Sequence, residues 1–82
     1  MDKKISQLRK RIDKLDTTII ENLEKRLHTV DEIREIKKNK KIPLITLKRE
    51  KEVTRKLKRL SKINPKTLTN IYKEIFAYSK RK

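Results

Sequence analysis

Apolar residues recur every three or four positions through the first half of the chain. The run starts at Ile5 and reaches Ile36 without interruption. Its members are Ile5, Leu8, Ile12, Leu15, Ile19, Leu23, Leu27, Val30, Ile33 and Ile36. Because this spacing places side chains on one face of an α-helix, the pattern predicts one long amphipathic helix.

Two shorter apolar stripes follow. The second consists of Val53, Leu57 and Leu60, and the third of Leu68, Ile71, Tyr72 and Ile75, with Phe76 and Tyr78 beside it. Pro43 forbids continuation of the first helix, and Thr46 can cap the second. Asn64 followed by Pro65 is typical of a helix start. We predict an all-α chain with helices near residues 3–40, 46–61 and 65–80.

The first helix is too long for a compact domain of this size. At about 1.5 Å per residue, 38 residues extend roughly 57 Å, whereas a globule of this length has a radius of gyration of about 12 Å. The two shorter helices cannot cover the whole stripe. We therefore expect a symmetric homodimer, the simplest arrangement in which a second chain covers it.

Composition narrows the class of protein. The 82 residues allow one domain, spanning 1–82, and carry 26 Lys+Arg against 11 Asp+Glu, for a formal net charge of +15. No apolar run is long enough to span a membrane, and the N-terminus lacks the apolar core of a secretory signal. The absence of cysteine fits the cytoplasm. With no glycine, a Gly-rich phosphate loop is excluded, and the single His28 cannot build a metal site by itself.

Several polar residues fall on or beside the apolar stripes. Arg26 and Lys37 are eleven positions apart, so at ~100° per residue they point within about 20° of each other. Glu50 is in line with Val53 and Leu57, with Arg49 beside it, and Ser79 continues the third stripe; taken singly, each also fits an ordinary boundary residue. Together they indicate a cationic pocket suited to a small anion with more than one carboxylate, which arginine binds bidentately.

The stretches "LRKRIDKLDTTIIENLEKR", "EIKKNKKIP" and "LKREKEV" resemble the all-helical class of chorismate mutases. The similarity runs from about residue 5 to residue 61 and resumes in "IYKEIFAYS". The resemblance implies an intertwined homodimer with three helices per chain, one long and two shorter. It also implies conversion of chorismate to prephenate, a step of aromatic amino acid biosynthesis, with no cofactor or metal.

The resemblance further implies roles for individual residues. Arg9 resembles the arginine that reaches a substrate carboxylate from the partner subunit, and Arg26 the one that holds the other carboxylate. Lys37 resembles the lysine that contacts the ether oxygen and a carboxylate. Glu50 resembles the acceptor for the ring hydroxyl, with Arg49 supporting the cationic wall. Ser79 resembles a serine that contacts a substrate carboxylate.

The sequence departs from the family pattern at two positions. Thr46 stands where several members carry an Asp; it can still cap the helix and hydrogen-bond to substrate, but it brings no charge. The family also carries a Gln or Glu one turn after the serine, at what would be position 83. We therefore expect a mutase of reduced activity.

Two alternatives stay open. A related helical lyase, which removes pyruvate from isochorismate, shares much of the implied pocket. A basic helical protein of this size also fits nucleic-acid binding through phosphate contacts. However, the basic residues are spread along the whole chain with few aromatics between them, so we expect only non-specific binding to nucleic acid at low salt.

Overall fold

The computed structural model describes residues 2–40 and 46–80, and this part of the chain contains helices and no strand. Helix α1 covers Lys3–Lys40, α2 covers Leu47–Leu60 and α3 covers Pro65–Ser79. The three predicted helices are confirmed, with every boundary within one residue. The predicted break at Pro43 lies outside the described residues. No helix of the described part is long and apolar enough to cross a membrane.

Capping side chains start the two shorter helices where the sequence predicts. Thr46 has extended backbone angles (φ −122°, ψ 145°), and its hydroxyl accepts a hydrogen bond from the Arg49 amide. Asn64 Oδ1 accepts from the amides of Lys66 and Thr67, at 2.9 and 3.3 Å. Each cap satisfies amides that have no partner within the helix.

The start of α1 has a cap that the sequence analysis did not identify. The Lys4 amide donates to Asp2 Oδ1 over 2.8 Å, and the Ser6 amide donates to the Asp2 main-chain oxygen over 3.2 Å. The Asp2 carboxylate also places a negative charge at the positive end of the helix dipole, which favours helix formation there.

The chain divides into two compact units, Met1–Glu32 and Ile33–Lys82. The first unit is the larger part of α1, and its early apolar side chains remain exposed. The exposed fractions are 48% for Ile5, 41% for Leu8, 53% for Ile12, 62% for Leu15 and 54% for Ile19. A single helix has nothing of its own to pack against, so this unit does not bury its stripe by itself.

The second unit contains the pair of helices α2 and α3, which pack against each other. Leu68, near the start of α3, is 5% exposed and is the buried apolar residue of the described chain. Val53 and Leu57 of α2 are half-buried. On α3, the rings of Tyr72 and Phe76 meet edge to face, with centroids 5.7 Å apart.

Some residues assigned to the apolar stripes are exposed in the structure. Leu60 is 72% exposed, Ile71 45%, Ile33 41% and Ile36 57%. The reason is helical drift: each step of three residues turns the side chain back by about 60°, because a residue advances by ~100°. The half-buried positions follow steps that alternate between three and four. They include Val30, Arg34 and Lys37 on α1, and Glu50, Thr54 and Leu57 on α2.

Candidate active site

The residues expected to bind substrate are divided between the two units. Arg9 and Arg26 belong to the first unit, where Arg9 is exposed and Arg26 half-buried. The second unit holds the others, which are Lys37 on α1, Thr46, Arg49 and Glu50 at the start of α2, and Ser79 at the end of α3. Three short segments of the second unit thus carry five of the seven expected residues.

The first turn of α2 gives Arg49 and Glu50 different environments. The Thr46 hydroxyl accepts from the Arg49 amide over 3.1 Å, and the Thr46 main-chain oxygen accepts from the Glu50 amide over 3.2 Å. Neighbouring residues of a helix point ~100° apart. Arg49 is accordingly exposed, whereas the Glu50 side chain is only 18% exposed. The prediction that Glu50 lies on the inward face of its helix is confirmed.

Glu50 forms an ion pair with Lys80, just after the end of α3. The Lys80 ammonium lies 2.9 Å from Glu50 Oε2, an oxygen that is shielded from solvent. The Lys80 amide donates to the main-chain oxygens of Phe76 and Ala77, both at 3.2 Å, which fixes its backbone as the C-cap of α3. The pair therefore joins the first turn of α2 to the last turn of α3.

Ser79 is held at the same end of α3 and is 5% exposed. Its hydroxyl donates to the Ile75 main-chain oxygen over 3.0 Å. Its own main-chain oxygen accepts from Arg34 Nη2 over 2.7 Å. Both oxygens of Ser79 thus have partners within the second unit, and the side chain is directed along its own helix.

An open groove runs between α2 and α3, and Glu50 lies along it. Thr54 of α2 and Phe76 and Lys80 of α3 also line this groove, whose surface is mostly apolar. One turn after Glu50, the Thr54 hydroxyl donates to the Glu50 main-chain oxygen over 2.9 Å. The groove thus combines a mostly apolar wall with the Glu50 carboxylate and three lysines, Lys51, Lys73 and Lys80.

Sequence reasoning missed two residues that contact expected site residues in the structure, one with Ser79 and one with Glu50. Arg34 lies four positions after Val30 and three before Lys37, so the alternating step of four and three could have identified it. Lys80 carries no such signal, because it follows the last turn of α3 and its partner lies thirty positions earlier in the sequence. Only the packing of α2 on α3 brings these two charges together.

His28 and the acidic residues do not assemble a metal site in the described part of the chain. His28 lies on the exposed surface of α1, with Nε2 3.3 Å from Glu32 Oε1 one turn later. Both side chains are largely exposed, so this contact contributes little to stability.

Comparison with known proteins identifies the family. The family model described as chorismate mutase type II matches residues 8–82. Searches of curated proteins and of solved structures give no match. The matched range covers nearly all of the chain and includes all three helices from the second turn of α1 onward. The chain therefore belongs to the chorismate mutase type II family.

Proposed function

We propose that the protein is a chorismate mutase that rearranges chorismate to prephenate within a single bound molecule. The observation that carries this proposal is the family match over residues 8–82, a range that contains every expected site residue from Arg9 to Ser79. The reaction is a Claisen-type rearrangement. It needs neither a nucleophile nor a cofactor, so binding and electrostatics carry the catalysis.

Three cations hold and polarise the substrate in this proposal. Arg26 binds one carboxylate, and Arg9 of the partner subunit binds the other, since guanidinium groups match carboxylates in a bidentate way. Lys37 contacts the ether oxygen and a carboxylate. The half-burial of Arg26 and Lys37 supports these roles, because shielding from water strengthens the attraction between charges.

The remaining polar residues orient the substrate. Glu50 accepts a hydrogen bond from the ring hydroxyl. Arg49 supports the group of cations that binds the substrate, and Thr46 hydrogen-bonds to the substrate at the edge of the site. Ser79 contacts a carboxylate. Because a carboxylate only accepts hydrogen bonds, the Ser79 hydroxyl turns its proton from the Ile75 oxygen to the substrate on binding.

Catalysis follows from two effects. The site folds the enolpyruvyl side chain over the ring. The substrate is thereby held in the reactive conformation, which is rare in water. Negative charge then grows on the ether oxygen as its bond to carbon breaks. The Lys37 ammonium stabilises this charge, and loss of one such donor typically costs about 2.7–4 kcal/mol.

We propose that residues 1–82 act as one domain in an intertwined homodimer. The exposed stripe from Ile5 to Ile19 supports this proposal. A contiguous exposed apolar face of this kind is typical of an interface, and an identical stripe on a second copy can cover it. Such pairing also gives Arg9 a route into the other subunit's site. A role in aromatic amino acid biosynthesis and a cytoplasmic location stay predictions.

The test uses purified protein with chorismate and a metal chelator. Loss of chorismate is followed by its ultraviolet absorbance, and prephenate is identified after acid conversion to phenylpyruvate. A parallel reaction with isochorismate measures pyruvate release. Prephenate formation supports the mutase; release of pyruvate from isochorismate by a protein that leaves chorismate unchanged overturns it in favour of the lyase.

A further inference from the structure

The ion pair between Glu50 and Lys80 is a feature that the family resemblance does not account for. Lys80 Nζ lies 2.9 Å from Glu50 Oε2, and the two side chains are 49% and 18% exposed. The pair lies along the groove between α2 and α3. It links the proposed hydroxyl acceptor to a residue for which no role is yet assigned.

Burial makes a partner for Glu50 necessary. A carboxylate that is shielded from water loses hydration, and it stays charged at little cost only when a cation or hydrogen-bond donors replace that hydration. Lys80 supplies the cation from outside α2. The lysine keeps half of its own side chain in water, so the pair contributes only modestly to overall stability. Its main effect falls on the orientation of Glu50.

The two oxygens of Glu50 then have different tasks. The Lys80 ammonium holds Oε2, the shielded atom. Holding one oxygen in this way restricts rotation of the carboxylate and so limits the positions that Oε1 can take. A fixed acceptor distinguishes a substrate with a ring hydroxyl from one without it, because an acceptor left unpaired in a shielded site costs binding free energy.

We infer that Lys80 is a positioning residue that acts through Glu50 and sets the specificity of the site for the ring hydroxyl of chorismate. This inference rests on the proposed function. Lys80 does not touch the reacting ether bond. The hydroxyl contact exists both in the bound substrate and in the transition state, so its weakening raises KM more than it lowers kcat.

The experiment compares two substrates in matched variants. The substrates are chorismate and an analogue in which hydrogen replaces the ring hydroxyl. The variants are Lys80→Met, which keeps most of the side-chain length and removes the charge; Lys80→Arg, which keeps the charge; and Lys73→Met, a control from the same groove. We expect Lys80→Met to raise KM for chorismate about tenfold and to leave kcat nearly unchanged. A tenfold change is about the effect expected when one hydrogen bond to a charged group is weakened.

The other expected results separate positioning from a general structural effect. Lys80→Met should leave kinetics with the analogue unchanged, Lys80→Arg should restore most of the affinity for chorismate, and Lys73→Met should match the unaltered protein on both substrates. In a Glu50→Gln background, Lys80→Met should have no further effect, since its target is already altered. Thermal unfolding of each variant verifies that the fold is retained.

Failure of this inference and failure of the proposed function give different results. If the unaltered protein converts chorismate but Lys80→Met has no effect, or affects both substrates equally, the role of Lys80 is wrong and the mutase activity stands. If the folded unaltered protein does not convert chorismate, the proposed function is overturned, and the inference that rests on it falls with it.

Discussion

The guanidinium group of Arg34 on α1 donates a hydrogen bond from Nη2 to the main-chain oxygen of Ser79 on α3, over 2.7 Å. The last turn of α3 contains no basic residue of its own. Besides the C-cap residue Lys80, Arg34 therefore adds, from another helix of the same unit, positive charge that favours a helix C-terminus. It also sets the position of Ser79, which the proposed function places against a substrate carboxylate.

Replacing Arg34 by methionine should reduce the free energy of unfolding by about 1.5–3 kcal/mol, the range for a hydrogen bond to a charged group. The reason is that the Ser79 oxygen loses its donor in a buried position. Urea denaturation followed by circular dichroism, at one fixed protein concentration, measures the change. Arg55→Met, on an exposed position of α2, is the matched control and should change stability by less than about 0.5 kcal/mol. Equal stability of the two variants would contradict this role of Arg34.

The helices and two of their caps could be predicted because they depend on local sequence. Thr46 and Asn64 satisfy amides within the next three residues, so neighbouring residues suffice to identify them. Which side chains of each helix are buried and which are exposed was predicted less well. Ile33 and Ile36 follow Val30 by steps of three, and that spacing alone turns them towards solvent, whereas Arg34 and Lys37 are half-buried.

The candidate site shows the same division between local and long-range information. The inward position of Glu50 could be predicted from its register with Leu57. Its ion partner Lys80 could not, since the pair depends on how α2 packs against α3. The proposed contribution of Arg9 from a second subunit depends on a contact between chains, and the sequence predicts it only through the family resemblance.

A second prediction concerns the homodimer. Sedimentation equilibrium at micromolar concentration and moderate salt should give about twice the chain mass of 10.0 kDa. Ile12→Glu should shift the protein towards monomer, because it places a charge within the exposed stripe that a second copy is proposed to cover. Thr17→Glu introduces the same charge on the same helix, about 140° away, and should remain dimeric. A monomer with full helicity for the unaltered protein would disprove the shared site.

Mixing two inactive variants tests whether the sites are shared. Arg9→Ala and Lys37→Ala each remove one cation from every site of their own homodimer. When they are mixed in equal amounts and allowed to exchange subunits, half of the dimers are mixed, and each has one intact site. About a quarter of the original activity should return. If no activity returns although mass spectrometry shows that mixed dimers have formed, Arg9 acts within its own subunit.

The charge of +15 leads to a prediction about nucleic acid. Binding to duplex DNA should be weak and independent of sequence, and it should weaken steeply as salt rises, because phosphate contacts release counterions. Fluorescence anisotropy with two unrelated duplexes, over a range of salt concentrations, measures the affinity and its dependence on sequence and salt. Tight binding to one duplex at physiological salt would make nucleic-acid recognition, and not catalysis, the main function.

The most direct measurement of the central claim is the rate of chorismate conversion by the unaltered protein, by Lys37→Ala and by Lys38→Ala. Lys37 is half-buried and is the proposed partner of the ether oxygen, whereas its neighbour Lys38 is exposed. The unaltered protein and Lys38→Ala should form prephenate at similar rates. Lys37→Ala should be slower by about 100- to 1000-fold, with its helical circular dichroism retained. Equal rates for all three proteins, or a folded dimer that leaves chorismate unchanged, would contradict the account.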